Sequence, residues 1–482
     1  MRKSLPSLVF APALLGAGAV LVGLVACVHV QSTPVVPDQA LRAFAARSLD
    51  EAGLREFFSA NHTAVPAAGA AWGLEPLALA AFYFNPDLDV ARAELATAEA
   101  ARVTAGERPN PSLALSAGYN STTSPSLVSP WILTFNLDIP LTTAGKRGHR
   151  IAAARSLAEA ARYNLAAAAW QVRSRVRASL VELSSVTESE TLLAEQEAIE
   201  QEIVTLLERQ LEAGAVSSNE VTQAHLTLAA MQLSRRDAGA RVLAARAQLA
   251  DAVGITAQAL DGVTPSFADL ERAEPEIPSQ EARRQAVLNR ADVLAALAEV
   301  AASQAALQLE LARQYPDINL GPGYEFDQGD NKWIVAISLP LPIVSRNRGP
   351  IAEAEARRGA AAARFVAVQA HAVGQVDQAV ASYEVAAQAA VAAERMGDDL
   401  RSSERIARAR FEAGEISRLE LDGALLERAT AALARLEARV RAEVALGQLE
   451  DAMQRSTQPL DWLSVPPNRG EAPAPGAAGS KP

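Results

Sequence analysis

The sequence lacks the residues from which most catalytic and metal-binding sites are built. It contains one cysteine, so no disulfide can form within the chain, and its five histidines are widely separated. It has no glycine-rich nucleotide loop, no serine elbow and no cluster of Cys and His ligands. Its net charge of −11 argues against a nucleic-acid partner. We therefore expect a protein that is not an enzyme and that has no metal site and no cofactor.

Aromatic residues and long apolar runs are also scarce. Only 5% of the residues are aromatic, and alanine is abundant, which favours long, closely packed helices over one thick globular core. After residue 27 there is no run of about 20 apolar residues, so we expect no membrane-spanning helix in that part of the chain.

Residues 1–26 have the pattern of a bacterial lipoprotein signal peptide. A basic Met-Arg-Lys start is followed by an apolar run and by Leu-Val-Ala immediately before Cys27. This ending resembles a lipoprotein box, in which the cysteine is acylated and becomes the first residue of the mature protein. The alternative is an ordinary signal peptide with a chance cysteine. We predict lipidation at Cys27 and, over residues 27–75, an irregular lipid-anchored tether that lies against the rest of the molecule.

The rest of the chain contains one long unit twice. The motif Glu-Ala-Gly-x-x-Ser-x-x-Glu occupies residues 212–220 and recurs at residues 412–420. We place the first repeat at 76–264 and the second at 282–456, joined by a linker or equatorial segment at 265–281. Residues 457–482 are rich in proline, glycine and alanine and are predicted to be disordered.

Each repeat contains two segments in which apolar residues alternate with small or polar ones, a pattern typical of β-hairpins with two unlike faces. The predicted strands cover about residues 112–120, 131–140, 317–326 and 332–342. Each has about ten residues, the length that a tilted strand needs to cross a bilayer. Four strands cannot close a barrel, and open edges are not tolerated in lipid. The chain must therefore oligomerise if these are membrane strands, and three copies would supply twelve.

Long helices account for the remainder of each repeat. One helix is predicted from Pro76 to Glu107. Ile151–Glu212 contains no proline or glycine and would extend roughly 90 Å as one helix. Its counterpart runs from Ile351 to Phe411, and each is followed by a glycine turn and a returning helix. Helices of this length need neighbours of equal length.

Three prolines are expected where the strands give way to the helices. They are Pro140, Pro340 and Pro342, and proline there stops the strand ladder and redirects the chain. Basic residues follow at once, among them Arg147 and Arg150. We place these near lipid headgroups or at the shoulder of the helical tube, although a solvated basic loop is an equal alternative for any one of them.

Taken together, these residues resemble the TolC-type outer-membrane efflux factors over about residues 70–456. The resemblance rests first on the paired Glu-Ala-Gly-x-x-Ser turns and on Asn-Pro-Asp-Leu at 85–88. Pro-Leu-Thr-Thr-Ala-Gly-Lys-Arg-Gly at 140–148 and Trp-Ile-Val-Ala-Ile-Ser-Leu-Pro-Leu-Pro at 333–342 complete it. These last two motifs are especially similar to the heavy-metal (CzcC-like) branch.

The resemblance implies a fold that is mostly α with a small β part. It implies a homotrimer in outer-membrane lipid, with a twelve-stranded β-barrel continued by a long periplasmic α-helical barrel. Such a protein is the exit duct of a tripartite pump, together with a periplasmic adaptor and an inner-membrane transporter of the resistance-nodulation-division type. The heavy-metal branch favours metal cations as substrates, and related ducts carry drugs or solvents. A lipid-anchored coiled-coil adaptor or scaffold is the rival of another class, but it leaves the four alternating strands unexplained.

The resemblance also assigns the glycine turns to the periplasmic tip, where the adaptor docks. The residues assigned to docking are Gly214, Ser217, Gly414, Ser417, Arg209 and Arg410. The two glycines are expected to be turn glycines in any case.

Acidic residues just beyond the turns are implied to narrow the closed pore. Glu220 and Glu420 lie six positions after the glycines, at the acidic positions of the family. The second acidic position of the family falls on Gly423, and Asp422 is one step away from it. We expect a ring of three Glu420 side chains to repel one another, which would raise their pKa. The alternative is that Glu420 is a solvated acid at a helix start.

Overall fold

The computed structural model describes residues 34–67, 70–122, 128–268 and 279–455. The chain divides into two units, residues 1–46 and 47–482. In the first, α1 (Pro37–Ala45) carries an ion pair between Asp38 and Arg42, one turn apart. The signal peptide, Cys27 and the C-terminal segment 457–482 lie outside the described residues.

The second unit is mostly helical and contains one four-stranded and one two-stranded sheet. In chain order, its elements are α2 (Ala52–Ala60), β1 (Ala71–Trp72), α3 (Leu74–Phe84), α4 (Pro86–Gly106), β2 (Ser112–Tyr119), β3 (Trp131–Leu141), α5 (Lys146–Glu212), α6 (Ser218–Val253), a 3-10 turn (Ala257–Leu260), β4 (Thr264–Pro265), α7 (Gln280–Asn289), α8 (Ala291–Ala312), β5 (Ile318–Asp327), β6 (Asp330–Ser338), α9 (Arg348–Glu412) and α10 (Arg418–Met453).

Four long helices form the frame of this unit. The helices α5 and α9 run unbroken for 67 and 65 residues and begin slightly before the predicted starts Ile151 and Ile351; Pro350 lies in the first turn of α9, where proline is tolerated. The returning helix α6 packs along α5, α10 packs along α9, and α5 and α10 pack together as the inner pair. The buried side of α5 includes Val172, Val176, Leu180 and Leu183, at spacings of three and four residues.

The four-stranded sheet joins the two repeats. Its order is β2-β3-β5-β6, every pair is antiparallel, and the hairpins meet through their inner strands β3 and β5. The turn between β5 and β6 consists of Gln328 and Gly329, both at positive φ, which is the geometry of a tight two-residue hairpin. The strands β2 and β6 form the edges of the sheet. Among the described residues, no helix is long and apolar enough to cross a membrane.

The predicted irregular tether is wrong for the part that the structure describes. Residues 52–60 form α2, and β1 pairs in parallel with β4. Leu54, Phe58 and Trp72 are buried in a core shared with α3 and α5. The apolar side chains of this segment therefore make it part of the body.

Three boundaries also differ from the prediction. The helix predicted over 76–107 is two helices, because Asn85 is extended (φ −70°, ψ 123°), as the residue before a proline prefers. The last strand ends at Ser338 rather than at 342, so Pro340 and Pro342 lie between β6 and α9. The segment predicted as a linker, 265–281, includes the end of β4 and the start of α7; its residues 269–278 are outside the described part.

Candidate functional site

Both long helices end in the same glycine turn. Gly214 and Gly414 have φ values of 72° and 75°. In the first turn, Gly214 N–H donates to Leu211 O at 2.9 Å and Ala215 N–H donates to Gln210 O at 2.7 Å. The second turn repeats this pair of bonds. This is a Schellman motif, which satisfies the last carbonyls of the helix and needs a residue that tolerates a left-handed conformation.

A capping box starts each returning helix. The Ser417 hydroxyl accepts from Glu420 N–H at 3.2 Å, and the Glu420 carboxylate accepts from Ser417 N–H at 2.7 Å and from its hydroxyl at 2.9 Å. Ser217 and Glu220 form the same box at the start of α6. The repeated Ser-x-x-Glu of the sequence is therefore first of all a helix-start signal.

In the single chain, the pKa of Glu420 is set by its own capping box, and the raised pKa expected for a ring of three Glu420 side chains stays a prediction. The Ser417 backbone N–H, followed by the Ser417 hydroxyl, holds the pKa of this exposed carboxyl below its ordinary value. Both groups stabilise the charged form. The carboxylate is therefore a capping group, as in the alternative of a helix-start acid.

Asp422 does not face an open space. Its side chain is fully buried in the chain, and Arg418 Nε lies 2.9 Å and 3.0 Å from its two oxygens. Because a constriction residue must reach the pore, the assignment of Asp422 to the constriction is not supported by this geometry. The arginine one turn away explains why a buried aspartate is tolerated here.

The two turns carry different charges. Arg410 pairs with Glu415 at 3.4 Å, whereas Gln210 and Ala215 stand at the corresponding positions of the first turn. The first pair of helices has instead His225 at 3.1 Å from Glu208, with both side chains half exposed. The tips therefore present two unlike surfaces on one backbone frame.

The sheet has one apolar and one polar face. The apolar face continues across all four strands, and its members are Leu113, Leu115, Ala117, Tyr119, Trp131, Leu133, Phe135, Leu137, Ile139, Leu141, Ile318, Leu320, Pro322, Tyr324, Phe326, Trp333, Val335 and Ile337. Many of these side chains are exposed, and the exposed fractions of Trp333, Ile337 and Leu115 are 84%, 66% and 63%. An exposed apolar surface of this extent marks a face that is covered by lipid or by a partner.

Aromatic rings contact one another across the strands of this face. The ring centroids of Tyr119 and Trp131 are 5.2 Å apart, and those of Tyr324 and Trp333 are 5.1 Å apart. Phe135 lies 6.3 Å from Tyr324 across the join between the repeats. Such cross-strand pairs stabilise the sheet.

The basic residues at the junction bind the chain itself. Lys146 Nζ is buried and lies 2.6 Å from Tyr315 O and 2.8 Å from Asp317. Arg147 donates to Gly106 O at 2.7 Å, and Arg150 donates to Ala105 O at 3.4 Å. These contacts stabilise the C-terminus of α4. The placement of Arg147 and Arg150 near headgroups or at the shoulder of the tube stays a prediction. Pro140, by contrast, lies at the end of β3, as expected.

A buried ionic cluster joins α5 to α10, and the sequence reasoning missed it. Arg173 lies 3.4 Å from Glu450, and Arg177 lies 3.0 Å from Glu443. Arg177 also donates to Glu443 O at 2.9 Å. A Cβ on Gly447 would stand 2.2 Å from the Arg177 guanidinium, so glycine is what leaves room for it. The signal that could have revealed this cluster is two arginines one turn apart within an apolar helix face.

Burial shifts the pKa values in this cluster. It raises the pKa of Glu443 and of Asp451 and lowers that of Arg173. Asp451 accepts hydrogen bonds from Trp170 Nε1 at 3.0 Å and from the Ser174 hydroxyl. Within the described ranges, no group of three or more His, Cys, Asp and Glu residues could hold a metal ion.

Comparison with known proteins identifies relatives by sequence. The family model described as outer membrane efflux protein matches residues 81–255 and 282–453. The cobalt-zinc-cadmium resistance protein CzcC of Cupriavidus metallidurans is 28% identical over 270 residues, which is 55% of this chain and 62% of that protein. The match thus spans less than two thirds of that relative.

Solved structures share the fold. CusC, crystallised in a study of its folding and transmembrane channel formation, superposes with a TM-score of 0.64 at 19% identity over 80% of this chain and 92% of its own. The outer membrane protein VceC from Vibrio cholerae gives a TM-score of 0.63 at 21% identity over 80% of this chain and 97% of its own. The observed helices and sheet thus have the fold of these two proteins.

Proposed function

Since the chain belongs to the outer membrane efflux protein family, we propose that it is the outer-membrane exit duct of a tripartite efflux pump. In this role it conducts substrates passively to the outside from a periplasmic adaptor and an inner-membrane transporter of the resistance-nodulation-division type. The transporter supplies the energy, so the duct itself needs no catalytic residue. Three copies contribute four strands each to a shared barrel and four long helices each to a shared tube.

The exposed apolar face of the sheet is the observation that carries this proposal. In water it would expose an apolar surface at a cost of about 25 cal/mol per Å², whereas in a bilayer it contacts lipid chains. The opposite face carries mostly small, polar and charged residues, with Ile132 and Ile334 among them, and is suited to line a water-filled lumen. The unpaired edges of β2 and β6 need further strands in lipid, and further copies of the chain supply them.

The two glycine turns are the proposed docking tips for the adaptor. Gly214, Ser217, Gly414 and Ser417 form the turns and caps, and Arg209 and Arg410 lie on the last turn of each long helix. The unlike charges of the tips would offer the adaptor two different sites per chain. Glu420, with Glu220, remains our candidate for the narrow end of the duct, since its carboxylate is exposed although it is engaged in capping.

A lipid anchor and a class of transported substrate complete the proposed function. Acylation of Cys27 would hold the start of the mature chain at the outer membrane. Heavy-metal cations are the proposed substrates, because the matched relative is named as a cobalt, zinc and cadmium resistance protein. Drugs or solvents are the alternative cargo for the same duct.

Deletion of the gene in its own host tests this proposal. We expect the deletion strain to tolerate several-fold less Co²⁺, Zn²⁺ or Cd²⁺ and to retain more of the metal, with both defects restored by the wild-type chain. Resistance to organic drugs should not change. Sensitivity to drugs alone would overturn the choice of cargo, and unchanged tolerance to both classes would count against a role in efflux.

A further inference from the structure

The charges of the four-stranded sheet are confined to one face. The four strands contain five charged residues, Asp138, Glu325, Asp327, Asp330 and Lys332, and the strand register puts all five on the polar face. Because side chains alternate between faces along a strand, a random distribution would put some of them on the apolar face. The segregation assigns these charges to the surface that lines the lumen in the proposed duct, and the inference below rests on that proposed function.

Four of the five charges lie together at the turn end of the second hairpin. Asp327 and Asp330 are directly opposite each other, and Glu325 is directly opposite Lys332. Lys332 Nζ lies 2.5 Å from Asp327 and 3.7 Å from Glu325, so one ammonium offsets two carboxylates. Three carboxylates against one ammonium leave this end of the wall acidic, and the side chain of Lys332 is about half exposed to solvent.

We propose that Glu325, Asp327 and Asp330 give the turn end of the duct its preference for cations and that Lys332 sets the strength of that preference. Charges on a pore wall select permeating ions by sign. Their field extends over about 8 Å at physiological salt and further at low salt. Replacing Lys332 would strengthen the preference for cations, because its ammonium would no longer offset the negative charges of Asp327 and Glu325.

Reversal potentials across planar bilayers test the proposal. We compare wild type, Lys332→Gln and the double variant Glu325→Gln/Asp327→Asn in a KCl gradient. We expect Lys332→Gln to raise the ratio of K⁺ to Cl⁻ permeability by at least about twofold and the double variant to lower it by a similar factor. Both changes should grow as the salt concentration falls, since screening weakens.

Lys332→Arg is the matched control, because it keeps the charge and can still pair with both carboxylates; it should behave as wild type. Channels of normal conductance whose reversal potential is the same in all variants would overturn this proposal while leaving the duct intact. If the wild-type protein forms no channels at all, the proposed function fails, and this inference fails with it. Zn²⁺ in place of K⁺ extends the measurement to the proposed cargo.

Discussion

In each repeat, single residues join the start of one helix to the end of the returning helix. Asn85 caps α4 and donates to Ala252 O at 3.0 Å at the end of α6. A Cβ on Gly254 would stand 2.8 Å from Asn85 Cα, and Gly254 has a φ of 88°. In the second repeat, Arg290 donates to Ala452 O at 2.6 Å and Gln454 occupies the left-handed position. Different side chains, Asn85 and Arg290, thus join the start of one helix to the end of the returning helix in the two repeats.

The turn residues were predictable because their roles are local. Glu-Ala-Gly-x-x-Ser encodes a left-handed glycine followed by a cap, and both turns have this geometry. For Glu420 the sequence left two interpretations open, a pore residue by resemblance and an acid at a helix start, and the capping box with Ser417 has the geometry of the second. Its role in a pore stays a prediction.

The capping of α10 by Glu420 is expected to depend on pH. Its folded pKa lies below that of a free glutamate, so its contribution to capping is complete above the unfolded pKa and is lost as pH falls through the lower folded value. Hydrogen exchange should show first-turn amides of α10 that stay protected at pH 5 and lose protection in more acidic solution. In Glu420→Gln, which can still cap, this pH dependence should vanish.

Loss of protection well above the ordinary glutamate pKa in the wild type would contradict this account and favour a ring of repelling carboxylates. Ser417→Ala is the control for the cap itself. It should destabilise the start of α10 by about 1 kcal/mol at every pH.

The helices and hairpins were predicted from the periodicity of their apolar residues, but the elements that pack against one another were not predicted. Alternation identifies β3 and β5 as strands but says nothing of their pairing, since Ile132 and Asp327 are far apart in sequence. The same holds for α5 and α10. The arginines that join them occupy positions that the sequence reasoning treated as ordinary members of a helix, and only the packed partner reveals that they are buried.

The buried ionic cluster is expected to stabilise the packing of α5 against α10. Arg173→Met removes the 3.4 Å ion pair of the buried Glu450, whose carboxylate lies farther, at 3.7 Å, from Arg177, and we expect a loss of about 3 kcal/mol in stability. Arg173→Met/Glu450→Met should recover much of it, because no unpaired charge is then buried. Urea unfolding followed by tryptophan fluorescence is the measurement, since Trp170 lies beside Arg173.

The matched control is Arg357→Met, which removes an exposed pair with Glu353 one turn away on α9. It should cost less than about 1 kcal/mol, because exposed ion pairs contribute little. Equal losses in Arg173→Met and Arg357→Met would show that the cluster does not hold α5 against α10.

At the scale of the whole molecule, the second unit has surfaces that a single chain cannot satisfy. The sheet has two unpaired edges, and the outer helices α6 and α9 carry exposed apolar residues, including Leu226, Leu233 and Leu243 on α6 and Val385 and Ile406 on α9. Exposed apolar side chains on these two helices fit a closed ring of copies. The mostly helical fold was predicted from the long segments without proline.

The central claim is that this chain forms a water-filled duct across the outer membrane. Single-channel recording of the detergent-purified wild-type protein in planar bilayers tests it most directly. We expect discrete, reproducible conductance steps that appear only when the protein is added and that share one unitary size, as for a closed assembly of fixed copy number. A protein that stays in solution without detergent and leaves the bilayer electrically silent would contradict it.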